Sequence, residues 1–162
     1  MELIGDDMGI NNLILRDINN ERELYRLLKE NSDNEEVLFY ILSNDNYMRF
    51  LDKIGIGNFI QSYIKNEKFI KSLLLNKIIL DKIDIASLVD ILFDIKDINI
   101  KMELICNDVI LNRINIFTLK ELIVELPREQ KSILSNNKSI WERFCIFDYE
   151  FIDAIGVLAL RY

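Results

Sequence analysis

The chain has 162 residues, half of them apolar and 29% charged, with 20 basic against 27 acidic side chains and a formal net charge of −7. A chain of this length buries roughly 70% of the surface it exposes when unfolded, so a single domain spanning residues 1–162 needs no metal or disulfide to hold a core. Histidine is absent and cysteine occurs twice, which excludes imidazole metal sites, Ser-His and Cys-His nucleophile pairs, and a thiolate zinc centre.

The first residues, Met1-Glu2-Leu3-Ile4-Gly5-Asp6-Asp7, carry no basic segment followed by an apolar one, so no secretory signal is expected. No apolar run approaches the roughly 18 residues that a membrane span requires. A soluble, cytoplasmic protein is the expectation, with Cys106 and Cys145 as reduced thiols. Isoleucine, asparagine and lysine are abundant while alanine stands only at Ala86, Ala154 and Ala159. That usage fits an AT-rich genome, such as that of a virus or phage. The acidity is concentrated at the start: residues 1–50 hold 11 acidic and 5 basic side chains, and residues 51–162 hold 16 and 15. An asymmetric field of this kind either serves to keep a solvated N-terminal helix pair soluble or steers a basic partner, with Glu35 and Glu36 as the expected contacts in the second case.

From residue 51 onward the chain repeats itself. Leu51-Asp52-Lys53-Ile54-Gly55-Ile56-Gly57-Asn58 aligns without gaps to segments beginning at Leu80, Leu111 and Trp141, at spacings of 29, 31 and 30 residues. A degenerate copy, Leu15-Arg16-Asp17-Ile18, precedes them. A second shared element lies upstream at Leu75-Asn76, Cys106-Asn107 and Asn136-Asn137. The eighth residue of each copy is Asn58, Ser87, Thr118 or Asp148, all preferred N-caps. Thr118 with Glu121 forms a capping box. Helices are therefore expected to begin near 59, 88, 119 and 149, with Gly55 and Gly57 in the preceding turn.

Before each anchor, apolar residues recur at three and four positions, as in Phe69, Ile70, Leu73, Leu74, Ile78, Ile79 and Ile83, the helical period. Lys53, Lys82, Arg113 and Arg143 fall in the predicted last turn, where a cation complements the helix dipole. Pro127 stands at the start of a further helix. No segment shows the alternation and turn signals of a strand. The predicted fold is all-α: a short α-solenoid of about four two-helix repeats of about 30 residues.

The Leu/Ile-x-Asn elements at Asn76 and Asn107 and the Leu-x-x-Ile-x-Ile-x-x-Leu runs resemble HEAT-like and variant leucine-rich helical repeats. The resemblance is one of class. The Asn-Pro of variant leucine-rich repeats is missing, and no functional residue is carried over.

Candidate chemistry is sparse. Asp6 with Asp7, Asp81 with Asp84, and Asp94 with Asp97 match no calcium loop and read as solvated helix faces. Gly55-Ile56-Gly57 lacks the third glycine and the preceding strand of a phosphate loop. No catalytic residue, metal site or cofactor is expected. The basic column Lys53, Lys82, Arg113, Arg143 is the most regular polar feature, and in a stack it would form a ladder facing a ligand, with nucleic acid disfavoured on an acidic protein. Most of the aromatic cluster Trp141, Phe144, Phe147, Tyr149 and Phe151 is expected in the core, with Phe147 partly exposed. The apolar final helix would otherwise mark a homodimer or partner surface. The function expected is non-catalytic binding of another protein through the solenoid surface, the alternative being a small acidic inhibitor of a basic or nucleic-acid-binding protein, of the toxin-immunity or phage anti-defence kind.

Overall fold

The structure is a computed structural model, described for residues 18–144 and, at Trp141, for the backbone. Among these residues there are twelve helices and no strand. In chain order they are α1 (Glu21–Glu30), α2 (Glu35–Ser43), α3 (Asp45–Met48), α4 (Lys53–Tyr63), α5 (Glu67–Leu75) and α6 (Lys77–Leu80). Then come α7 (Ile85–Asp94), α8 (Ile98–Ile105), α9 (Asp108–Leu111), α10 (Ile116–Val124), α11 (Arg128–Leu134) and α12 (Lys138–Phe144).

A trio of helices recurs along the chain: one of two turns or so, one of a single turn, and a longer one. The trios are α2-α3-α4, α5-α6-α7 and α8-α9-α10, followed by α11-α12. Each unit thus has three helices, not the two expected.

The cause is a set of Asx caps. An Asn or Asp side chain that accepts from the second or third amide of a new helix satisfies donors that otherwise have no partner. Asn34, Asn66 and Asp97 cap the first helix of each trio, and Asn44, Asn76 and Asn107 cap the second. Asp52 Oδ1 accepts from Gly55 N at 2.7 Å and Asn115 Oδ1 from Thr118 N at 2.8 Å, starting the third helix in two trios. Asp84 holds the equivalent place before α7. First and second caps are ten residues apart in every trio, and second and third are eight apart. Asn76, at φ −81° and ψ 112°, both ends α5 and starts α6, so one residue splits what the periodicity presents as a single helix. In the last, partly described trio Pro127 precedes α11, as expected, and Asn137 Oδ1 accepts from Ile140 N at 3.1 Å.

These caps correct the expected helix starts. Ser87 and Thr118 are the third residues of α7 and α10, and Asn58 lies in the middle of α4 with Gly55 and Gly57. They also correct the register. The tetrapeptide Leu-Asp-Lys-Ile occurs at 51–54 and at 80–83, yet Asp52 caps a helix in extended geometry while Asp81 closes one at φ −65° and ψ −19°. Ile54 is 58% exposed and Ile83 is fully buried. The true counterpart of Ile83 is Leu51: the equivalent positions Leu51, Ile83, Ile114 and Phe144 are all buried, as are the equivalent positions Tyr47, Ile79, Ile110 and Ile140. Each such side chain contributes about 1.5–3 kcal/mol by leaving water.

The chain divides into two compact units, Met1–Asp84 and Ile85–Tyr162. In the first, α2 packs on α3 and α6, and the Tyr25 ring meets Phe59 and Tyr63 edge-on. In the second, α7 packs on α10, and α8 on α9. Lys101 Nζ donates to Phe93 O at 3.3 Å and Lys131 Nζ to Val124 O at 2.8 Å, so a lysine from the next helix serves the C-terminal carbonyls of α7 and of α10 alike.

Candidate functional site

A groove of about 870 Å³ opens in the second unit. Two caps build it. Asn107 sets α9 and, eight residues on, Asn115 launches α10, so Leu111 closes the bottom while Ile116 and Phe117 emerge in the first turn of α10. Phe117 is 76% exposed. The opposite wall is α12, through Ser139, Glu142 and Arg143.

The electrostatics of the groove are lopsided. Arg143 turns inward: its Nη2 donates to Ile114 O at 2.8 Å, and its Nη1 is buried with no hydrogen-bond partner among the described residues. Lys120 is half-buried and already engaged. By contrast Asp108 and Glu142 are exposed. Glu142 lies 3.5 Å from Lys138 Nζ, a solvent-exposed pair that water screens.

The residues singled out from the sequence are dispersed. Glu35 is exposed at the start of α2 and accepts a hydrogen bond from Asn66 Nδ2 at 2.6 Å, which ties one trio to the next. Glu36 is exposed beside it, in the first turn where acidic groups suit the helix dipole. Lys53 opens α4, at the opposite end from the one expected. It therefore leaves the basic column, and Phe50 takes its place. Lys82 and Arg113 lie in the turns after α6 and α9, not in a last helical turn, whereas Arg143 does end α12. Lys82 Nζ pairs with Asp45 at 2.5 Å. Arg143 alone of the column lines the groove. Phe147, the cap Asp148, Cys145, the final apolar helix, the side chain of Trp141 and residues 15–17 lie outside the described residues.

Phe117 is a site residue that the sequence alone does not single out. Its exposure follows from the third cap: at Asn115 that cap makes residue 117 the second helical position, on the outer side of the first turn, whereas a cap at Thr118 would leave it before the helix.

Burial raises the pKa of the Cys106 thiol against a smaller opposing hydrogen bond from Asn137, so it stays a weak nucleophile. Burial likewise raises Tyr25, helped by Tyr63 and Glu21, and Tyr47, helped by Tyr40. Among the described residues no cluster of three acidic or cysteine side chains could hold a metal ion, and no helix is long and apolar enough to cross a membrane. Asp97, Asp84 and Asp81, weighed above as cation ligands, flank helices instead: Asp97 caps α8, Asp84 precedes α7 and Asp81 ends α6. Comparison with family models, with curated proteins and with solved structures finds no match to this chain.

Proposed function

We propose that this protein is a non-catalytic interaction module, a short α-solenoid of three-helix repeats that binds and covers a partner protein through the groove between α9, α10 and α12. The observation that carries the reading is Phe117, a large aromatic side chain 76% exposed at the mouth of an open cavity. Aromatic side chains of this kind supply a disproportionate share of interface energy. Contact and occlusion ask of the cavity only shape and exposed side chains, which its lining supplies.

The test is affinity capture with the full chain from cells that naturally express it, comparing wild type, Phe117→Ser and Ile54→Ser. Ile54 is the control because it holds the equivalent exposed position in α4, in the other unit. Loss of a captured protein with Phe117→Ser and its retention with Ile54→Ser is the expected result. Equal capture by all three, or none by wild type, contradicts the reading.

A further inference from the structure

We propose, resting on the binding function above, that the groove receives a cationic side chain, lysine or arginine, from a basic segment of the partner protein. The first unit shows what the second lacks. There, the one-turn helix α3 begins with Asp45, whose carboxylate is met by Lys82 of the following trio at 2.5 Å. In the second unit the counterpart of Asp45 is Asp108, first residue of α9, and the counterpart of Lys82 is Arg143.

Arg143 does not make the equivalent pair. Its guanidinium is turned to the backbone carbonyl of Ile114 instead. Asp108 remains exposed on the groove wall, and no ion pair among the described residues uses it. The chain's own lysine thus fills in one unit a position that no described residue fills in the other.

Two further groups favour a cation there. Glu142 adds a second exposed carboxylate across the groove, and the Phe117 ring offers a π face. A guanidinium or ammonium gains from both: a charge-assisted hydrogen bond to carboxylate and a cation–π contact. Of the cations near the groove, Arg143 is directed into the protein, Lys120 has an interaction of its own, and Lys138 meets Glu142 only in a solvent-exposed pair that water screens. An acidic segment, by contrast, would meet two carboxylates.

The experiment titrates the isotopically labelled full chain with a capped hexapeptide of alternating arginine and glycine, following amide NMR shifts. A hexapeptide of alternating glutamate and glycine is the counter-probe. Shifts from the arginine probe concentrated at Asp108, Phe117 and Glu142, with none from the glutamate probe, are expected. The Asp108→Asn/Glu142→Gln variant should weaken that binding about tenfold. Glu121→Gln/Glu129→Gln removes the same charge from the same unit outside the groove and should stay within twofold of wild type. Shifts centred elsewhere, or equal weakening by both variants, would show general attraction to an acidic surface and overturn the proposal. A captured partner lost on Phe117→Ser but fully retained by Asp108→Asn/Glu142→Gln would leave the binding function standing and overturn the cationic occupant.

Discussion

Replacing Asn115 by alanine deletes the acceptor that Thr118 N uses at 2.8 Å, and leaves one amide at the start of α10 to water alone. Losing an Asx N-cap to alanine costs about 1 kcal/mol, within a range of about 0.5–2, while glycine at the same place costs only a few tenths. Thr118→Val is the matched perturbation. Thr118 is 9% exposed. Valine keeps its shape and removes only the group that a capping box would need. Its expected cost is below about 0.5 kcal/mol. Urea unfolding followed by circular dichroism at 222 nm resolves the two, and a loss of 1 kcal/mol lowers Tm by about 2–4 °C in a chain of this size. If Thr118→Val cost more than Asn115→Ala, the cap would sit at Thr118, Phe117 would precede the helix, and the groove would lose the geometry argued for it.

Ile114→Ala, at a position 1% exposed, should cost about 2–5 kcal/mol in the same assay, against about 1 kcal/mol or less for Lys82→Ala, whose partner Asp45 is 87% exposed. Lys101→Met should leave stability within about 1 kcal/mol of wild type, because Leu38 and Ile70 already fill that place in the other trios; a larger loss would mean that the Phe93 carbonyl and Glu125 depend on the ammonium. Cys106, Tyr25 and Tyr47 have folded pKa values raised above their ordinary 9.0, 10.0 and 10.0. The unfolded chain therefore releases these protons first, and stability should fall as pH rises through about 9 to 11. A urea midpoint that climbs across that window would contradict the sign.

The all-α class was legible because apolar spacing and cap residues agree, and the buried Ile83 is the last of the apolar positions that this spacing marks. The helix starts were not. Ser87 and Thr118 carry the right chemistry for a cap, but Asp84 and Asn115 stand three residues earlier, so the helix has already begun where the serine and threonine lie. The one-turn helices were visible only as the recurring Asn76, Asn107 and Asn137, since a single turn is too short to show a period of its own. Register failed at Leu51 because the same four residues at 51–54 and 80–83 serve opposite ends of a helix. What distinguishes them is the residue that caps, at Asn44 and Asn76, upstream of both. The groove was hidden for the same reason: Phe117 and Arg143 are brought together by two caps, not by any motif linking them in sequence. The acidity at Glu35 and Glu36 has a local cause as well, in the first turn of α2.

Hydrogen exchange of the full chain, read by mass spectrometry with and without a captured partner, tests the binding account most directly. Protection on binding should appear in residues 108–120 and 138–143 and be absent from residues 21–63, because a partner seated in the groove shields the first turns of α9 and α10 together with α12. Protection confined to residues 21–63, with residues 108–120 exchanging as in the free chain, would contradict it.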